Sequence, residues 1–160
     1  MALARIIFRN LFGSRSKSGT AAIEFALFTP LLLIVLTGTV ELGFLMYEAM
    51  QVNDAVEAGV LYAAKNGFNA ASITSAVTNA SVLPTGLNAL TATPPPTQFC
   101  GCPTAATVTN LGTQPPCSTT ACSGTAGTYV QVNASLTHTV IIPNPWVPTT
   151  LTATAVIRIN

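Results

Sequence analysis

In this 160-residue chain the residues that could do chemistry are a glycine–glutamate pair near the start, one histidine and four cysteines. Gly19 stands where a basic leader carrying Arg5, Arg9, Arg15 and Lys17 meets a long apolar run. Glycine has no side chain, so a protease can approach its backbone closely. A cut after Gly19 would free an α-amine on Thr20 and make Glu24 the fifth residue of the new chain. A charged side chain inside a membrane helix is costly, about 2.5–3.5 kcal/mol at the bilayer centre on insertion scales and less near an interface. Glu24 therefore calls for a partner, and the bland alternative is a carboxylate resting among lipid headgroups.

Cys100, Cys102, Cys117 and Cys122 fall in a segment expected outside the cytoplasm, where an oxidising compartment favours disulfides. Cys100 and Cys102 are too close to favour each other. Two pairings remain open: Cys100–Cys122 with Cys102–Cys117, or Cys100–Cys117 with Cys102–Cys122. Zinc is the rival, but C-x-C followed by C-x4-C departs from the paired C-x2-C spacing, so no metal is expected. His138 is the only histidine and falls in the apolar phase of a strand, as a structural histidine would. No acidic residue follows Glu57, so a Ser-His-Asp or Cys-His-Asp site would have to borrow its carboxylate from the preceding helix. The chain also lacks a phosphate-binding glycine loop, a paired-carboxylate site and a basic patch interleaved with aromatics. The expectation is a protein that is not an enzyme and has no cofactor, nucleic-acid partner or small-molecule substrate.

Composition shows which elements must position these groups. Charged residues are 7% of the chain, against about 25% in soluble globular proteins. The net charge of +1 is too small to point to nucleic acid, but its distribution is uneven: four of the six basic residues lie in residues 1–19, and all five acidic ones between Glu24 and Glu57. Ala21–Val40 is a twenty-residue run long enough to cross a bilayer core of roughly 30 Å. The basic flank precedes it, which places the N-terminus in the cytoplasm and the rest outside. A soluble core helix would need the centre of a large domain. A cleaved secretory signal has a shorter apolar region, and no convincing A-x-A site follows this one.

Helical character continues through residue 66, with Gly67 as a C-cap. A helix over residues 20–66 would extend about 70 Å, so roughly half would project from the membrane. Its apolar positions Leu45, Val52, Val56, Val60 and Leu61 are expected to pack on the rest of the protein or on neighbouring subunits. Pro30 leaves the Ala26 carbonyl without its amide donor, so a kink or local loosening is expected there. Glu41 is expected in solvent at the outer interface. A second helix is expected over Ala70–Ala80, capped by Asn69, with Ile73, Ala76, Val77 and Ala80 on one face. A loop rich in Pro, Thr and Cys follows. Then Val130, Val132, Ala134, Leu136, Val140 and Ile142 alternate with polar residues, as do Leu151, Ala153, Ala155, Ile157 and Ile159. The Pro143–Pro148 connector between the runs makes them an antiparallel hairpin, with Trp146 as a lid on its core. The fold class is α+β. Its parts are a leader (1–19), a long helix (20–66, transmembrane at about 21–40), a short helix with a cysteine-pinned loop (67–128) and a β-hairpin (129–160).

The sequence Gly19-Thr20-Ala21-Ala22-Ile23-Glu24-Phe25 resembles the processing site of type IV prepilins. Residues 18–65, which include GTAAIEFALFTPLLLIVLTGTVEL, are similar to the TadE-like family, pseudopilins of tight-adherence pilus systems. The closing LTATAVIRIN is also similar to the family's ending. The resemblance implies removal of the leader by a prepilin peptidase and assembly with other pilin or pseudopilin subunits on the pilus platform. It also implies a place in the bacterial inner membrane, or in a surface pilus after processing, and a part in cell adhesion. Glu24 would then face the α-amine of a neighbouring subunit, with Phe25 and Pro30 in the family's apolar motif. The alternative reading is a signal-anchored extracytoplasmic binding protein that keeps its leader.

Overall fold

A computed structural model of the chain describes residues 18–81, 89–112, 114–117, 122, 126–141 and 145–159. The basic residues of the leader and Ile142 lie outside the described residues. The chain divides into two compact units, Met1–Leu42 and Gly43–Asn160.

Helix α1 (Ser18–Asn66) runs through both units and contains Pro30. Its C-terminal end is set by Gly67, whose φ of 78° lies in the left-handed region open to glycine. The Gly67 amide donates to the Ala63 carbonyl at 2.9 Å, closing the last turn. Helix α2 (Ala70–Ala80) opens on Asn69, whose side-chain oxygen accepts from the Ser72 amide at 3.0 Å. Both caps and the α2 boundaries agree with the sequence pattern.

The second unit is built on a four-stranded antiparallel sheet of order β2-β1-β3-β4. Its strands are β1 (Thr97–Pro103), β2 (Val108–Asn110), β3 (Gly127–Thr137) and β4 (Thr150–Ile159). The expected hairpin is β3 with β4, paired from Thr128 opposite Ile159 to Thr137 opposite Thr150. Two further strands occupy part of the segment expected to be loop. An isolated bridge between Thr91 and Ser135 adds a fifth stretch of chain beside β3. Strand β3 also ends sooner than its alternation suggests, at Thr137, so Val140 lies beyond it. Past the end of β3 the His138 amide still donates to the Thr149 carbonyl at 2.9 Å, at the base of the proline-containing connector.

One face of the sheet and the two helices share a core of Val52, Ala55, Val56, Ala63, Ile73, Val77, Val130, Val132, Ala134 and Leu136, joined by Leu90 and Ile159. Val52 and Val56 are buried as expected and Val60 packs at the margin, but Leu61 is 60% exposed. The small residues Ala55, Gly59 and Ala63 take the inner stripe instead, and they bring the helix close to the sheet. A Cβ at Gly59 would lie 2.6 Å from Val77 Cγ2 and 2.8 Å from Val132 Cγ1. Gly59→Leu is therefore expected to destabilise this unit by about 2 kcal/mol, since overpacking costs typically 1–3 kcal/mol and better helix propensity returns less than about 1. Thermal unfolding followed by circular dichroism checks it. Gly43→Leu is the control, because a Cβ there meets nothing within 4 Å and its melting temperature should not fall.

The opposite face of the sheet is also partly covered. Phe99 and Tyr129, cross-strand neighbours, stack with ring centroids 5.9 Å apart. Asn133 is 4% exposed and fully used: its amide donates to the Pro94 carbonyl, and its oxygen accepts from Gln131 Nε2 and Thr154 Oγ1. A buried amide so tied fixes the Pro94–Pro96 segment over the sheet.

Candidate functional site

Within the first unit α1 carries the residues picked out for processing and assembly. Gly19 and Thr20 lie in its first turns, and Glu24 follows Thr20 by four residues, so the two share one helical face. Glu24 is exposed, as are Phe25 at 73% and Pro30. Ile23, Leu27, Phe28 and the run Leu31–Leu36 are all more than half exposed within the fold. So continuous an apolar surface on a helix without a protein covering is stable only in lipid or against other helices.

The three threonines between Glu24 and Glu41 fit this apolar environment. Thr29 donates to the Phe25 carbonyl at 2.6 Å, Thr37 to Leu33 at 2.8 Å, and Thr39 to Val35 at 2.8 Å. Each hydroxyl is satisfied by its own helix, as the absence of water in a bilayer core requires. Thr29 acts beside Pro30, one residue N-terminal to the carbonyl that the proline leaves without an amide. Glu24 stands apart from this pattern, since no such backbone bond neutralises a carboxylate. Glu41 differs from its expectation: it is 5% exposed rather than solvated, and it is not without a partner.

The cysteines resolve into Cys100–Cys117 and Cys102–Cys122, the second of the two open pairings. Their Cα atoms are 5.4 and 5.6 Å apart, within the ordinary range for disulfides. Both bridges start on β1, which is how a segment without apolar alternation becomes a strand at the middle of the sheet. With all four thiols oxidised, none is left as a nucleophile or a zinc ligand.

His138 does borrow a carboxylate from the helix: its Nδ1 lies 2.6 Å from Glu48 Oε2, and the side chains are 2% and 12% exposed. The pair ties the end of β3 to α1. Sequence reading picks out His138 as a structural histidine, but its pairing with Glu48, ninety positions away, is not legible there. Trp146 is no lid; it is 89% exposed on the β3–β4 connector. Leu136 and the rest of the core are buried without it.

One helix among the described residues is long and apolar enough to cross a membrane, and it is joined without a break to a small α+β unit. Together these define a membrane-anchored protein that carries a disulfide-bonded domain. Residues 19–61 match the model of the TadE-like protein family, so this segment is similar to that family. The match begins at Gly19 and covers the apolar helix together with the first turns that enter the core. No curated protein and no solved structure matches the chain. Among the described residues no group of three or more His, Cys, Asp or Glu side chains could hold a metal ion.

Proposed function

We propose that the chain is a minor pilin or pseudopilin of a tight-adherence pilus. It enters the bacterial inner membrane with its N-terminus in the cytoplasm, loses residues 1–19 to a prepilin peptidase, and joins other pilin subunits through its apolar helix. The observation that carries this reading is the Glu24 carboxylate, which has no partner among the described residues of an apolar helix whose threonines bond to their own backbone, within a segment similar to the TadE-like family that starts at Gly19. Cleavage makes the counter-charge: the α-amine of Thr20 appears one helical turn from Glu24, on the same face. A neighbouring helix carrying the same pair, displaced along the axis, brings its own amine to this carboxylate in a medium where an ion pair is strong. Processing and assembly are thereby one chemical event. The test is to express the chain in cells with and without the peptidase and compare the N-terminus of the membrane-bound product. Retention of the leader in both would favour the signal-anchored binding protein instead.

A further inference from the structure

We propose that the Gly43–Asn160 unit binds a second copy of itself back to front, the outer face of β4 in one copy seated on the outer stripe of α1 in the next. The contact lies within this unit alone and does not rest on cleavage of the leader or on Glu24. Helix α1 turns Val52, Ala55, Val56, Gly59 and Ala63 toward the sheet. At about 100° per residue, Met46, Met50, Glu57 and Leu61 fall within about 60° of one another on the reverse side, with Asp54 beside them. Met46, Met50 and Leu61 are 66%, 57% and 60% exposed. Asp54 and Glu57 are exposed as well, and neither carboxylate has a partner among the described residues. Lys65, the one cation on this stretch of helix, lies two turns beyond Glu57. A contiguous apolar stripe with negative charge in its middle is matched by an apolar surface that carries a cation.

The same unit holds such a surface on its other side. In β4 Leu151, Ala153, Ala155 and Ile157 pack toward the core that α1 covers, so strand alternation sends Thr152, Thr154, Val156 and Arg158 to the opposite face. All four are exposed. The Arg158 side chain lies over Gly127, where a Cβ would come 2.6 Å from its Nε, and its guanidinium has no ion-pair partner among the described residues. Spacing agrees with charge. Val156 and Arg158 are about 7 Å apart along the strand, and Met50–Asp54 and Glu57–Leu61 are each about 6 Å apart along the helix. Arg158 of one copy can therefore meet Asp54 or Glu57 of the next while Val156 rests on Met50 or Leu61. The two patches face away from each other across one helix-on-sheet unit, so they cannot meet within a copy. The contact is head to tail, and it leaves one free patch at each end for a further copy. A second copy is favoured over another partner because this chain itself carries both halves: Arg158 is its only arginine beyond the leader.

The full chain, with its disulfides intact, is purified in detergent, and its association is followed by sedimentation at low salt. Expected is reversible association that weakens as salt is added. Arg158→Glu, and separately Asp54→Lys with Glu57→Lys, should each weaken it by about tenfold or more. An equimolar mixture of the two variant chains should recover it, because each altered patch then meets an opposite charge on the other chain. A wild-type chain that stays single, association that ignores both reversals, or a mixture that recovers nothing overturns the proposal. A second measurement covers reversals that disturb folding. Arg158→Lys keeps the charge and supplies an amine, so a carbodiimide should join residue 158 to Asp54 or Glu57 between isotope-labelled and unlabelled copies. Cross-links that join neither acid to residue 158 of another copy also overturn it.

Discussion

Glu24→Ala is expected to leave the chain in the membrane and to abolish its assembly with other subunits. Insertion should become easier, because the substitution removes the one charge between the leader and Glu41. Assembly should suffer, because the neighbour's α-amine on Thr20 would then be buried among apolar helices without its counter-charge. Removing one partner of a buried pair costs about 3–5 kcal/mol. That corresponds to a hundredfold or greater loss of association at 1.4 kcal/mol per factor of ten. Sheared surface filaments and flotation of the membrane fraction read the two halves of the prediction separately. Normal filament yield from Glu24→Ala cells would remove the proposed role of the carboxylate.

The second large effect concerns the disulfides. Cys100 is fully buried, and its bridge to Cys117 closes a loop of 17 residues; Cys102–Cys122 closes one of 20. On the chain-entropy account each bridge contributes roughly 3 kcal/mol, against a total stability of about 5–15 kcal/mol for a small domain. The loops overlap, so the two contributions do not simply add. Replacing Cys100 and Cys117 by alanine is expected to lower the unfolding free energy of the Gly43–Asn160 unit by about 3 kcal/mol, and the denaturant midpoint of the purified chain measures it. An unchanged midpoint would mean that β1 holds its place between β2 and β3 by hydrogen bonding alone.

How far the fold could be read from sequence depended on whether a residue's role was local. Gly67 and Asn69 announce helix ends through their own backbone and side-chain chemistry, and both caps form where expected. Strands β3 and β4 were legible because their apolar residues alternate over ten residues against a single core. Strand β1 was not: Thr97-Gln98-Phe99-Cys100-Gly101-Cys102-Pro103 has no apolar period, and its place comes from pairing with β3 and from two disulfides. The choice between the two disulfide pairings was beyond sequence for the same reason: Cys100 and Cys102 share one face of β1, and only the tertiary path of the chain decides which of Cys117 and Cys122 meets each. Leu61 drew attention as a large apolar side chain, yet the inner stripe of α1 belongs to Ala55, Gly59 and Ala63, because closeness to Val77 and Val132 selects small residues. Glu41 and Trp146 reversed their expected exposures, and neither change could be inferred from neighbours in sequence. Gly19, Thr20, Glu24, Phe25 and Pro30, the residues proposed for processing and assembly, lie on one continuous helix, whereas the Glu48–His138 pair joins residues ninety positions apart.

The claim that ties these residues together is that cleavage after Gly19 creates the amine that Glu24 needs. The direct measurement is the mass and N-terminal peptide of the chain purified from membranes of cells that contain the prepilin peptidase. The account predicts a mature chain beginning Thr20-Ala21-Ala22-Ile23-Glu24. A chain that still carries Arg5 to Lys17 in those cells, or one cut at another bond, would contradict it.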